Sequence, residues 1–325
     1  PAIPGGAVSI SPHQNAAAVV RRHPGGTTFV FEPGVHRGVS ISPRRGDSYL
    51  GRPGAILSGA HELEGFTARD GYWAVGGQSS ELFGSGGCEF LPDGTRYRAC
   101  THPEQLFVDG QTWRQVSSID ELADGRWFFD YARNRVYVGA DPAGHTIELS
   151  TVPHAFVGSA PNVRIAGLVI ERYANRAQTG AIEAPGSSGW VVETNELRLN
   201  HGFGLRIGHG MQVLDNYVHH NGQIGVGGIG NNVVVTGNEI AYNHTAGFLE
   251  EWEAGGTKIV FTKNLVFRWN WVHHNSGRGV WTDIDNVDSL IANNLVEWNT
   301  RGGIVHEISY DAVIRDNVAR NNGLG

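Results

Sequence analysis

At 325 residues the chain is long enough for one elongated domain or two compact ones. Glycine is abundant at 46 residues, methionine occurs once and helix formers are scarce, a mixture that favours short strands joined by tight turns. A formal charge of −7 without any Lys/Arg run argues against a nucleic-acid partner, and no apolar run approaches the ~20 residues of a membrane span.

In chain order, SPHQNAAAVVRRHPGG predicts a short helix ended by Pro-Gly. TTFVFEPGVHRGVSISP and YLGRPGAILSGA follow as two strand–turn units, so residues 1–60 read as an N-terminal cap and first coils. Residues 61–150 read as a β-rich insertion or side module. Within it LFVDGQTWRQV and GRWFFDYARNRVYVG predict antiparallel hairpins with Asp-Gly and Arg-Asn turns. Cys88 and Cys100 flank a Pro-Asp-Gly turn, a spacing that fits a disulfide closing a surface loop, with free thiols as the alternative. The start at Pro1 without Met looks processed or trimmed, and a secreted protein is expected.

Residues 151–325 carry an explicit repeat. Asn recurs in pairs five residues apart: Asn195/Asn200, Asn216/Asn221, Asn238/Asn243, Asn270/Asn275, Asn294/Asn299 and Asn317/Asn322. Four residues after the second Asn of the first five pairs stands a glycine (Gly204, Gly225, Gly247, Gly279, Gly303), followed by an apolar residue. Most equivalent positions are 21 to 24 residues apart, the length of one coil built from three short strands and their turns. Stacked coils bring the Asn side chains into a hydrogen-bonded ladder, and Asn also tolerates left-handed backbone geometry. The stripe Leu197, Val218, Ile240, Val272, Val296 would fill the interior beside it. The expected fold is therefore all-β, a single-stranded right-handed parallel β-helix. The last Asn pair predicts a glycine just beyond Gly325, so the chain is truncated in mid-repeat or a partner covers that edge.

The coils GVWTDIDN…LIANNLVEWN and GIVHEISYDAVIRDN resemble the secreted right-handed β-helix proteins of the pectate-lyase-like superfamily, over about residues 160–325. The resemblance implies a carbohydrate-active, extracellular protein.

Aligning coils by their glycines places Glu251, Asp283 and Glu307 four residues on, and Glu253, Asp285 and Ser309 six residues on. Side chains alternate along a strand, so both positions face outward if the residue after each glycine points inward. A bulge would instead turn Glu250, Thr282 and His306 outward. Stacked carboxylates repel and split their pKa values, which is the arrangement that glycosidic hydrolysis uses. Adjacent coils give ~5 Å, near the retaining geometry, and positions four and six ~7 Å, near the inverting one. Asp283 and Glu307 are the expected acid/base or nucleophile pair, with Glu251 and Asp285 as supporting or alternative members. The coil from Asn238 to Asn270 is longer than its neighbours, and its excess in EAGGTKIVFTK predicts a groove wall from which Lys258 or Lys263 reaches substrate. Trp281 and Trp252 offer flat faces for a sugar, and Glu253, His306 and Arg206 complete the binding set, His306 with a structural role as the alternative. The pairs His219-His220 and His273-His274 read as turn residues rather than a zinc motif.

The expected function is a secreted glycoside hydrolase acting on a polysaccharide or oligosaccharide, with no metal and no cofactor. The alternatives are a lyase whose acidic stack holds Ca²⁺ against a uronate, and a non-catalytic glycan-binding or adhesin solenoid. No nucleic-acid or membrane partner is expected. Sugar, linkage and oligomeric state are left open.

Overall fold

The computed structural model describes residues 1–80, 86–90, 94 and 97–324. Its body is a solenoid of three parallel sheets. The first has ten strands, from Val8–Ile10 to Tyr310–Arg315; the second has nine, from Gly34–Arg37 to Val318–Arg320; the third has seven, from Phe156–Val157 to Ile304–Glu307. Successive coils stack in strict register, so Leu197, Val218, Ile240, Val272 and Val296 pair one above another. All five are fully buried in the main core, as the alternation of the sequence requires. The helix Ala16–Arg21 is N-capped by Asn15, whose Oδ1 accepts from the Ala18 amide at 2.9 Å, and it buries Ala16 and Val20 in the same core.

Two continuous Asn ladders run beside that core. Nδ2 of each Asn donates to Oδ1 of the next at 2.9–3.1 Å, from Asn195 to Asn317 on one side and from Asn200 to Asn322 on the other. From Asn216 and Asn221 onward each Oδ1 also accepts from the backbone amide of the Asn one coil earlier, as Asn243 does from Asn221 at 3.1 Å; Asn195 and Asn200 accept from the Leu168 and Tyr173 amides instead. The left-handed backbone is not at the ladder Asn, as the sequence suggested, but one residue before it. Leu199, His220, Tyr242, His274 and Trp298 all have φ of 51–58°. The Asn is therefore selected for its amide, which bonds in both axial directions, and the residue before it carries the turn.

The described residues of 60–150 form a side module with an eight-stranded, mainly antiparallel sheet whose edge strands are Ala60–Glu62 and Thr67–Arg69. Its hairpins pair Thr67–Arg69 with Tyr72–Gly76, Leu106–Val108 with Gln111–Gln115 and Arg126–Asp130 with Arg135–Val138, the last two as the sequence predicts. The hairpin Leu106–Gln115 turns on Asp109 and Gly110, both with positive φ. Leu106, Trp127, Phe129, Val138 and Leu149 give the module its own core. Glu148 ties it to the solenoid by accepting from both Arg37 and Arg172. Cys88 and Cys100 form a disulfide; Pro92 and Asp93 of the turn between them lie outside the described residues.

The ladder yields a stability prediction. Asn243→Ala deletes bonds to Asn221, Asn275 and the Val218 carbonyl, leaving several buried polar groups unpaired at ~1–3 kcal/mol each. Denaturant unfolding is expected to show a loss of about 3 kcal/mol or more, and a loss below about 1 kcal/mol contradicts the ladder's role.

Candidate active site

The coil entered at Asn238 decides the site. Gly247 does not occupy the glycine column. Residues 245–254 leave the solenoid as an excursion containing the short helix Glu250–Glu253, and the third sheet resumes at Gly255–Val260. Gly256 takes the column position instead. A Cβ there would lie 2.6 Å from the Gly279 carbonyl oxygen and 3.0 Å from Asn275 Nδ2, and one at Gly279 would meet Gly303 and Asn299 equally closely. Only glycine fits between the Asn ladder and the next coil. The extra length of this coil thus precedes the strand, and GGTKIV is the strand itself.

This register revises the acidic column. Asp283 pairs with Glu307 on the next coil, as expected, but its partner on the preceding coil is Val260, not Glu251. Glu251 sits on the excursion helix with an exposed side chain, 3.0 Å from Arg301. Asp285 does not share the face of Asp283: the strand ends at Asp283, and Ile284 and Asp285 are both left-handed, which interrupts the alternation and leaves Asp285 in an exposed turn. Thr282 and His306 lie on the interior side, where Thr282 Oγ1 is 2.7 Å from His306 Nδ1. Burial holds the His306 imidazole below its usual pKa. His306 therefore does not face the groove, and the bulged alternative does not occur.

The outer face of the third sheet carries, coil by coil, Glu183, Arg206, Gly227 and Lys258, with Trp281 next to Lys258. Arg206 Nη1 donates to Glu183 at 2.8 Å. Lys258 Nζ is 3.1 Å from Asp283 Oδ2, donates to the Trp252 carbonyl at 2.9 Å and lies 3.8 Å from the centre of the Trp281 ring, which Arg278 covers from 4.1 Å. Asp283 is 5% exposed, and among the described residues neither its Oδ1 nor Trp281 Nε1 has a partner. Trp281 is accordingly packed beneath two cations rather than presented as an open face.

Glu253, at the end of the excursion helix, returns to this face. It is 8% exposed, accepts from Gln178, and makes no ion pair among the described residues. Burial pushes its carboxyl above the ordinary value; Gln178, Lys258 and Arg206 counter this, and Asp283 adds to the rise. Arg206, Trp252, Glu253, Lys258, Gln178 and Phe261 line a cleft of about 370 Å³. The disulfide loop holds the excursion in place: the Glu89 amide donates to Gly247 and the Leu249 amide to Gly87, while Cys88 and Cys100 pack with Phe248 and Trp252.

The structure thus gathers Asp283, Glu253, Lys258, Arg206 and Trp281, with Glu307 one coil on, and leaves out Glu251, Asp285 and His306. Lys263 is exposed in a turn. Gln178 and Glu183 were not anticipated. Ala181 stands where the later coils have their glycine (Ile182 pairs with Leu205), so the glycine alignment could not reach that coil.

Residues 180–325 match the family model described as "Right handed beta helix region". The molecule is a right-handed parallel β-helix. Among solved structures, that of XylC in complex with xylose matches with a TM-score of 0.72 at 14% identity, covering 92% of this chain and 64% of that one. The chain therefore spans just under two thirds of that protein's length. A glycoside hydrolase (TM-score 0.48, 10% identity, 98% of this chain and 97% of that chain) and the periplasmic alginate epimerase AlgG (0.40, 9%, 97% and 65%) align more loosely. No curated protein matches the sequence.

The Lys258–Asp283 pair is testable by a double-mutant cycle. Lys258→Met leaves a buried carboxylate uncompensated and is expected to cost about 3–5 kcal/mol in unfolding free energy. Adding Asp283→Asn is expected to recover part of that loss. Strictly additive losses would show that the two side chains are not coupled.

Proposed function

We propose that this β-helix is a carbohydrate-active enzyme, a glycoside hydrolase that cleaves a polysaccharide or oligosaccharide on the outer face of the third sheet. The observation that carries the reading is the meeting of three carboxyl groups with unlike surroundings. Asp283 is paired with Lys258, Glu307 stands on the adjacent rung without an ion-pair partner among the described residues, and Glu253 is held up in pKa by burial. The structural likeness to XylC bound to xylose accords with a sugar ligand.

Adjacent strands lie ~4.8 Å apart, close to the ~5–5.5 Å between carboxyl groups in enzymes that retain anomeric configuration. Asp283 is assigned as the nucleophile: its carboxylate attacks the anomeric carbon while Glu307 protonates the departing glycosidic oxygen. Glu307 then takes a proton from water, whose oxygen displaces Asp283 and completes hydrolysis. Lys258 orients Asp283, and Glu253, whose burial favours the protonated form, hydrogen-bonds a substrate hydroxyl in the cleft beside Arg206. The reaction needs neither metal nor cofactor. The Cys88–Cys100 disulfide suits an oxidising, extracellular setting.

A lyase acting on a uronate is the second reading, favoured by Arg206 and Lys258 on one face. It predicts an unsaturated product absorbing in the ultraviolet, where hydrolysis gives only new reducing ends.

Asp283→Asn and Glu307→Gln are each expected to lower kcat by ~10²–10⁴-fold, measured as reducing-end release over a polysaccharide panel. Azide is expected to rescue Glu307→Gln with retained configuration, because the covalent step survives in that variant. Unchanged activity in both variants, or azide rescue of Glu253→Gln instead, contradicts the assignment. Because burial raises the Glu253 pKa, its proton is lost only as pH rises through that elevated value. KM is therefore expected to rise on the alkaline side in the native protein, and Glu253→Gln is expected to flatten that limb.

A further inference from the structure

A second cleft, about 520 Å³, lies at the seam between the side module and the solenoid. This is within the ~300–1,000 Å³ range of small-molecule sites. The module contributes the strand Gln111–Gln115 and the segment around Arg98; the solenoid contributes its turns at Leu199, His220 and Thr245. Among the described residues it shares no lining side chain with the cleft at Glu253.

Its polar groups are incompletely used. Gln115 is 6% exposed; its Nε2 donates to Tyr131 at 3.4 Å, but its Oε1 has no partner among the described residues. Among the described residues, the buried atoms Gln105 Oε1 and Arg98 Nε, from two further residues of the lining, also lack partners. An unpaired buried polar atom costs ~1–3 kcal/mol. Three residues of the lining therefore carry an orphaned atom, two acceptors and one donor, beside the half-buried Trp113 and the buried Trp127, whose Nε1 is already committed to the Trp113 carbonyl at 3.1 Å. A ligand that answers all of them must donate and accept from several directions and present an apolar flank. A pyranose ring does this, since every hydroxyl is donor and acceptor and its C–H face suits an indole.

We infer that the module–solenoid seam is a second saccharide site, which takes one pyranose unit against Trp113 with Gln115, Gln105 and Arg98 bonding its hydroxyls. Glu104, Glu121 and His220 also line the cleft; the role assigned to the site is to hold a glycan. It would raise the local concentration of a chain whose other part enters the cleft at Glu253, as two linked binding events do. The inference does not depend on the hydrolase reading, because it concerns binding alone.

Calorimetric titration of the intact protein with xylose, glucose, galactose and short oligosaccharides of each is the test. Binding is expected for at least one of these sugars. Gln115→Leu keeps the side-chain volume but removes the acceptor, and is expected to weaken that binding at least tenfold. Thr112→Trp, at an exposed position on the cleft wall, is expected to abolish it by filling the space. Both variants are expected to keep the native thermal midpoint, and Asp283→Asn to keep the binding. Three results overturn the inference: no binding across the panel, binding unchanged in both cleft variants, or binding lost in Asp283→Asn.

Discussion

Everything in this molecule depends on the coil-to-coil register enforced by the two Asn ladders. Each ladder amide bonds to the coil above and the coil below at once, so no coil can slip without stranding buried groups on both neighbours. The turns that feed the ladders hold ordinary residues in left-handed geometry at about 1–2 kcal/mol apiece, and the network of buried amides offsets that cost. The glycine column follows from the ladder rather than standing beside it as a separate feature. At Gly225, Gly256 and Gly279 a Cβ would collide with both the ladder Asn amide and the glycine carbonyl of the next coil.

Strict register turns distance in sequence into contact in space. Asp283 and Glu307 become cross-strand neighbours, and Lys258 reaches Asp283 from the coil before. The candidate site nevertheless arises where the regularity is broken. The excursion between Asn243 and Gly255 delivers Glu253 and Trp252 over the outer face, and the module's disulfide loop clamps that excursion from above. The ladder supplies a rigid floor, and the insertions supply the walls that desolvate the carboxyl groups.

Much of this was legible in the sequence, for a definite reason. The Asn pairs, the aliphatic stripe and the Asp283–Glu307 pairing are all consequences of a short repeat, and a repeat is visible without coordinates. The failures share one cause too. In the coil after Asn238 two glycines compete for one column position, and spacing alone favours Gly247. What rejects it is three-dimensional: only Gly256 lies where the Asn275 amide and the Gly279 carbonyl leave no room, and Glu251 leaves the column with Gly247. Asp285 was lost because strand alternation was extended past Asp283 into two left-handed residues. Gln178 and Glu183 belong to a coil in which Ala181 stands in the glycine column, so nothing periodic marks them.

The central claim, that register places Asp283 at the reacting carbon with Glu307 one rung away, is tested most directly by trapping. A 2-deoxy-2-fluoro glycoside of the preferred sugar slows the second step of a retaining reaction, so the sugar remains on the nucleophile and peptide mass spectrometry can locate it. The account predicts a label on the peptide containing Asp283, and a stoichiometric one in Glu307→Gln. A label on Glu253, Glu251 or Glu307 instead would contradict it.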